Sequence, residues 1–100
     1  MQETDAGYLL DFQEWTAAWA LQKAASQHRE LADFDWQVIQ FARDFYAEHQ
    51  IMPLTRRLIK FIRAQLQPDF DSLLLQAYYT DKPLRVIALL AGLPRPIQCI

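Results

Sequence analysis

Apolar positions recur at helical spacing along most of the chain, and proline-bearing or polar stretches divide them into about five segments. The clearest covers 33–49. There Phe34, Val38, Phe41, Ala42 and Phe45 stand three or four apart on one stripe, while Gln37, Gln40, Asp44 and Glu48 lie off it and Asp33 reads as the cap. Upstream, Asp11 with Glu14 three positions on resembles a capping box and predicts a helix over 11–26, with Phe12, Trp15, Ala18 and Trp19 on one face. Downstream, Pro53 suits a first helical position and predicts a third helix over 53–66, with Leu54, Leu58, Phe61, Ile62 and Gln65 facing inward. Pro68 ends it. Phe70, Leu73, Leu74 and Ala77 predict a short fourth helix, and 78–82 reads as a loop. Pro83 then opens a fifth helix with Leu84, Ile87, Ala88 and Ala91 in register and Gly92 as its stop.

These segments predict a mostly α fold. Residues 1–92 form a small orthogonal bundle of about five helices, the second and third making a helix-turn-helix-like pair, and a turn at Gly7 leads a short extended N-terminal element. Residues 93–100 form a flexible C-terminal arm. Pro94 and Pro96 exclude helix there and favour extended geometry, so an arm from Pro94 to Ile100 reaches roughly 23 Å.

One hundred residues, 52% apolar and with thirteen aromatics, support one core and little more. A single cysteine cannot form an intramolecular disulfide. With neither a leader-like segment nor an apolar run of membrane-spanning length, a reducing cytoplasm is the expected compartment. The net charge of −2 conceals a split: nine acids against three basic residues in 1–52, and seven basic residues against three acids in 53–100. The cysteine lies in the basic half.

Few residues are candidates for chemistry. His28 and His49 are distant in sequence and read as exposed helix-end residues, and neither Cys-x-x-Cys, His-Glu-x-x-His nor a glycine-rich phosphate loop occurs, so no metal site is expected. Asp44 and Glu48 lie four apart on one face and read as solvated. Trp15, Trp19, Trp36, Phe41 and Phe45 read as core. Arg56, Arg57, Lys60 and Arg63 place four positive charges within eight residues, with no acid between Glu48 and Asp69. They would attract an RNA backbone or an acidic protein, or help stabilise an anionic sulfur. Cys99 stands one residue from the end, and Arg95 is the cation nearest to it along the chain. Thiol chemistry requires access and thiolate character more than a built pocket, and a cation that the arm brings close lowers the thiol pKa.

The ending Ala91-Gly92-Leu93-Pro94-Arg95-Pro96 followed by Cys99-Ile100 resembles the C-terminus of the DsrC/TusE family of sulfur-relay proteins. The stretch 35–46 is similar to that family's signature, in which a His-Trp pair opens a helix and Arg-Asp-(Phe/Tyr)-Tyr closes it; here Asp35 replaces the histidine. Pro53, Arg56, Leu58 and Lys60 match the family's Pro-x-x-Arg-x-Leu-x-Lys, whereas 67–87 match weakly. Family members that partner dissimilatory sulfite reductase carry a second cysteine eleven residues before the terminal one. That place is Ala88 here, so the chain resembles the single-cysteine, TusE-like branch. The resemblance implies a sulfurtransferase without a conventional active-site pocket. Cys99 would accept a persulfide from a TusBCD-like donor complex and pass it to a tRNA 2-thiouridylase for wobble-uridine 2-thiolation. No cofactor is implied beyond the transient cysteine persulfide, tRNA would be met through the partner, and no membrane is involved. Two other readings use the same bundle: a DsrC-like regulatory or protein-binding module with a dispensable cysteine, and a nucleic-acid-binding module working through Arg56, Arg57, Lys60 and Arg63.

Overall fold

In a computed structural model, which describes residues 7–9, 11–79 and 82–94, the chain forms five α-helices. They are α1 (Ala17–Ser26), α2 (Asp33–His49), α3 (Thr55–Gln65), α4 (Ser72–Tyr79) and α5 (Pro83–Ala91), and no strand occurs among the described residues. The mostly α bundle read from periodicity is therefore the fold. At the N-terminus Gly7 makes a bend at φ 90, and Leu9 holds a single β-bridge. Residues 95–100, most of the expected arm, lie outside the described residues.

Helix α5 is the centre of the bundle. Pro83, Leu84, Ile87, Ala88, Leu90 and Ala91 are all buried, and the helix packs against α1, α2 and α4, while α3 packs against α2 and α4. α2 contributes Val38, Ile39 and Ala42 to the same core, and α3 contributes Leu58 and Ile62. The stripe expected on α2 thus holds at Val38 and Ala42, and it also takes in Ile39.

Three boundaries and one face differ from expectation. The helix expected over 11–26 is two pieces. Asp11 accepts from Gln13 N at 2.9 Å and caps only a 3₁₀ turn, Phe12–Glu14; Trp15 is then extended, and Thr16 caps α1 by accepting from Trp19 N at 3.3 Å. A second capping residue five positions on lets the chain turn Trp15 toward α5, and Ala18 is left exposed. α3 starts at Thr55 rather than Pro53, because Leu54 is held extended at ψ 163 and the first turn closes from Leu58 N to Leu54 O. Leu54 and Gln65, expected inward, are exposed. In α4 the expected face is rotated. Asp71, unnoticed in the sequence, caps the helix through Leu74 N at 3.0 Å, and the turns include Tyr78 and Tyr79 instead of leaving them in a loop. Leu75 and Tyr79, four apart, are buried; Leu73 is 74% exposed, and Phe70 is buried ahead of the helix.

Asp35, the departure from the family signature, is the one buried charged residue among those described. Its carboxylate accepts from Ala32 N at 2.9 Å and from the Tyr79 hydroxyl at 2.6 Å, with Arg29 Nη2 at 3.6 Å. The group joins the start of α2 to the end of α4, and the Arg29 guanidinium lies 4.7 Å above the Tyr79 ring. Burial, then the hydrogen bond to Asp35, pushes the Tyr79 phenol far above its ordinary range, so it remains a proton donor. Tyr79→Phe removes that donor and is expected to cost about 1–3 kcal/mol, read by urea unfolding at neutral pH. An unfolded tyrosine ionises near pH ~10 while the folded phenol holds its proton higher. The advantage of wild type over Tyr79→Phe should therefore be constant below about pH 10 and shrink above it. A difference that grows with alkalinity would contradict this.

Candidate functional site

An α-helix leaves its last four carbonyls without helical partners, and in α5 those belong to Ala88, Leu89, Leu90 and Ala91. Each has a donor here. Gly92 N and Leu93 N donate to Ala88 O, the latter at 2.9 Å. Trp19 Nε1 donates to Leu89 O at 2.9 Å, Trp15 Nε1 to Leu90 O at 2.8 Å, and Arg43 Nη1 to Ala91 O at 2.7 Å. Arg43 Nη2 also donates to Phe12 O at 3.1 Å. The Arg43 guanidinium lies between two rings, 4.0 Å from the Phe12 centroid and 4.4 Å from that of Trp15. Burial holds its pKa below the usual arginine value, with Asp44 opposing that shift. An arginine keeps its charge in such a setting, so a full positive charge faces the negative end of the α5 dipole.

The chain leaves this clamp in a fixed direction. Gly92 is left-handed at φ 70, Leu93 is fully buried behind it with its N–H returned to Ala88 O, and Pro94 is exposed. This is a Schellman ending. A Cβ on Gly92 would lie 2.5 Å from Trp15 Cδ1, so Gly92→Ala meets both an unfavourable backbone conformation and the clamp's own indole. A loss of about 2–3 kcal/mol is expected. Alongside it, the thermal midpoint should fall by roughly 8–24 °C, at about 4–8 °C per kcal/mol for a domain this small. An unchanged midpoint would show that Trp15 yields freely.

Of the residues singled out in the sequence, Cys99 and Arg95 lie outside the described residues. The other four are on α3, and the structure separates them. Arg56, Lys60 and Arg63 share the solvent side and, with Ile59 and Ala64, line an open depression of about 420 Å³. Arg57 is about 100° round the helix from Arg56 and does not line it. Arg63 is engaged: its Nε donates to Phe70 O. His49 is at the end of α2, its ring tilted against Phe45 at a centroid distance of 4.4 Å, and His28 follows α1 in left-handed geometry, so both are helix-end residues. No group of three potential metal ligands occurs among the described residues.

The clamp itself went unread in the sequence. Arg43 was only part of a matched stretch, and Trp15 and Trp19 were read as core. The available signal was chemical: a buried indole needs an acceptor for its single N–H. No sequence pattern pointed to carbonyls 70 and 75 residues away.

Fold and site together define a small all-helical domain whose last helix is gripped at its C-terminal end by Trp15, Trp19 and Arg43. The profile of the family described as DsrC like protein matches residues 1–100, and the chain belongs to that family. It is 40% identical to the sulfurtransferase TusE homolog of Haemophilus influenzae, over 98% of this chain and 92% of that protein. It is 36% identical to sulfurtransferase TusE of Photorhabdus laumondii, over 98% and 90%. The NMR structure of Allochromatium vinosum DsrC superposes with a TM-score of 0.84 at 30% identity, covering 98% of this chain and 88% of that one. The oxidized gamma-subunit of the dissimilatory sulfite reductase (DsrC) from Archaeoglobus fulgidus shares the fold, with a TM-score of 0.85 at 24% identity, covering 100% and 92%. Among the described residues no helix is long and apolar enough to cross a membrane.

Proposed function

We propose that this protein is a sulfur-relay carrier acting through Cys99. The observation that carries the reading is the placement of that cysteine in the sequence, behind Pro94 and Pro96 and eight residues beyond a helix end that three side chains grip, in a chain whose curated relatives are named sulfurtransferases. A gripped root would limit how much freedom the thiol must lose when it enters a partner, and the fixed φ of Pro94 and Pro96 would add to that.

In the loading step the Cys99 thiolate attacks the terminal sulfur of a donor persulfide. A new S–S bond forms, the donor's S–S bond breaks, and its electron pair leaves on the donor thiolate; the proton stays on the transferred sulfur, so there is no net oxidation. In the second step an acceptor cysteine thiolate attacks the same terminal sulfur and Cys99 departs as thiolate. By relationship the donor is a TusBCD-like complex and the acceptor a tRNA 2-thiouridylase that uses the sulfur on the wobble uridine, so tRNA is met through the partner. Arg95 is the cation nearest to Cys99 along the chain, and brought beside the thiol it would favour the thiolate. Position 88 is a fully buried alanine, and with Cys99 the single cysteine of the sequence there is no second thiol for a disulfide with it.

The test is intact-protein mass spectrometry after incubation with a cysteine desulfurase, cysteine and candidate relay proteins. A gain of about 32 Da, reversed by dithiothreitol, is expected. No gain under conditions that load an established TusE carrier would overturn the reading.

A further inference from the structure

The described cations divide into two sets. Arg29 faces Asp35, Arg43 is in the clamp, Lys23 lies 4.6 Å over the Trp19 ring, Arg63 is held by Phe70 O, and Lys82 and Arg85 are also engaged. Arg56, Arg57 and Lys60 are exposed and have no partner among the described residues. All three are on α3. The nearest acids along the chain are Glu48 and Asp69, and among the described residues none forms an ion pair with Arg56, Arg57 or Lys60, although the whole chain is net negative.

What lies among these charges decides the kind of partner. Ile59 and Ala64 share the depression with Arg56 and Lys60, and Leu54, at the head of α3, is 43% exposed with Ile51 before it at 56%. Binding to single-stranded nucleic acid uses aromatic platforms for bases beside the cations. The one aromatic on α3, Phe61, is already stacked on Phe41 at 4.3 Å and 11°. Three free cations would also neutralise only a few phosphates, giving weak binding that salt readily removes. Aliphatic side chains between cations instead suit a protein surface whose carboxylates surround an apolar residue.

We infer that the solvent side of α3, centred on Arg56, Ile59 and Lys60, docks an acidic protein surface bearing an apolar side chain, and that the sulfur donor presents it. The donor's identity rests on the carrier function proposed above; the docking chemistry does not. Because the surface is on α3 and the arm leaves from α5, docking and sulfur transfer are separable by mutation.

The experiment compares the full-length protein with an Arg56→Glu, Lys60→Glu variant, two exposed positions outside the core. Loading of Cys99 is followed by intact mass from two sources, a purified TusBCD-type donor complex and inorganic polysulfide, which needs no docking. The donor complex's affinity is measured in parallel by calorimetry. Charge reversal is expected to slow donor loading and weaken donor binding at least about tenfold, and to flatten the dependence of both on salt. Loading from polysulfide should match wild type. Equal donor affinity for variant and wild type, or no donor binding by wild type, overturns the docking surface whether or not sulfur moves. So does a variant that loses binding to tRNA while keeping that to the donor, which would make α3 an RNA surface. If wild type binds the donor through α3 but neither source loads Cys99, the carrier function fails and the docking surface stands.

Discussion

Cys99→Ser is expected to reduce sulfur acceptance to background. A serine hydroxyl is un-ionised at neutral pH and cannot form the S–S bond on which both transfer steps depend, so a loss of at least about a hundredfold is expected. The measurement has two stages. Intact mass should show no dithiothreitol-reversible gain on the variant, and a reconstituted system containing the thiouridylase should yield no 2-thiouridine above a reaction lacking this chain. If the variant supports 2-thiouridine formation at the wild-type rate, the protein acts without a covalent sulfur intermediate. The bundle would then serve as a docking or regulatory module.

Arg43→Ala should give the largest loss of stability among single substitutions at the arm's root. It removes the donors to Ala91 O and Phe12 O, takes a guanidinium from between two rings, and deletes the charge facing the α5 dipole. A charged hydrogen bond to a partly buried carbonyl contributes about 1.5–3 kcal/mol, and partial compensation by water leaves about 3 kcal/mol for the whole group. Urea unfolding reads this directly. Arg43→Lys should recover less than half, because an ammonium is a point charge and cannot hold two carbonyls from different segments with a planar fork. A loss under about 0.5 kcal/mol for Arg43→Ala would show that water satisfies Ala91 O equally well.

Periodicity revealed the elements because most of the bundle is built from one-sided helices. α5 was legible almost residue by residue, since it buries the expected stripe and ends on the expected Gly92; α2 was legible in its bounds and at Val38 and Ala42, while Phe34, Phe41 and Phe45 are only half-buried. α4 misled because Leu73, Leu74 and Leu75 are consecutive. An apolar run has no preferred face, and the choice of Leu75 and Tyr79 was made by Asp35, which needs the Tyr79 hydroxyl. The break at Trp15 was illegible for a related reason. Local capping chemistry at Asp11 and Thr16 permits one helix or two, and the carbonyls of α5 decide between them. The basic helix was visible as charge, but the depression that Arg56, Lys60 and Arg63 line with Ile59 and Ala64, the engagement of Arg63 and the outlying place of Arg57 required the neighbouring Phe70 carbonyl and helical phase. Cys99 was singled out by its position and by family resemblance, neither of which depends on packing, and it lies outside the described residues.

The grip on α5 also bears on how the chain matures. Trp15 and Trp19 acquire their acceptors only when Leu90 and Leu89 are in place, so the first tertiary interactions in sequence are among the last that synthesis can complete. Contacts between residues so distant slow folding and confine it to a chain that is nearly whole. A nascent chain halted before residue 89 would carry two indoles without these acceptors and a central helix cut short before Leu90 and Ala91 could enter the core. Quality control would therefore meet it as an unfolded polypeptide rather than as a domain that lacks only its last residues.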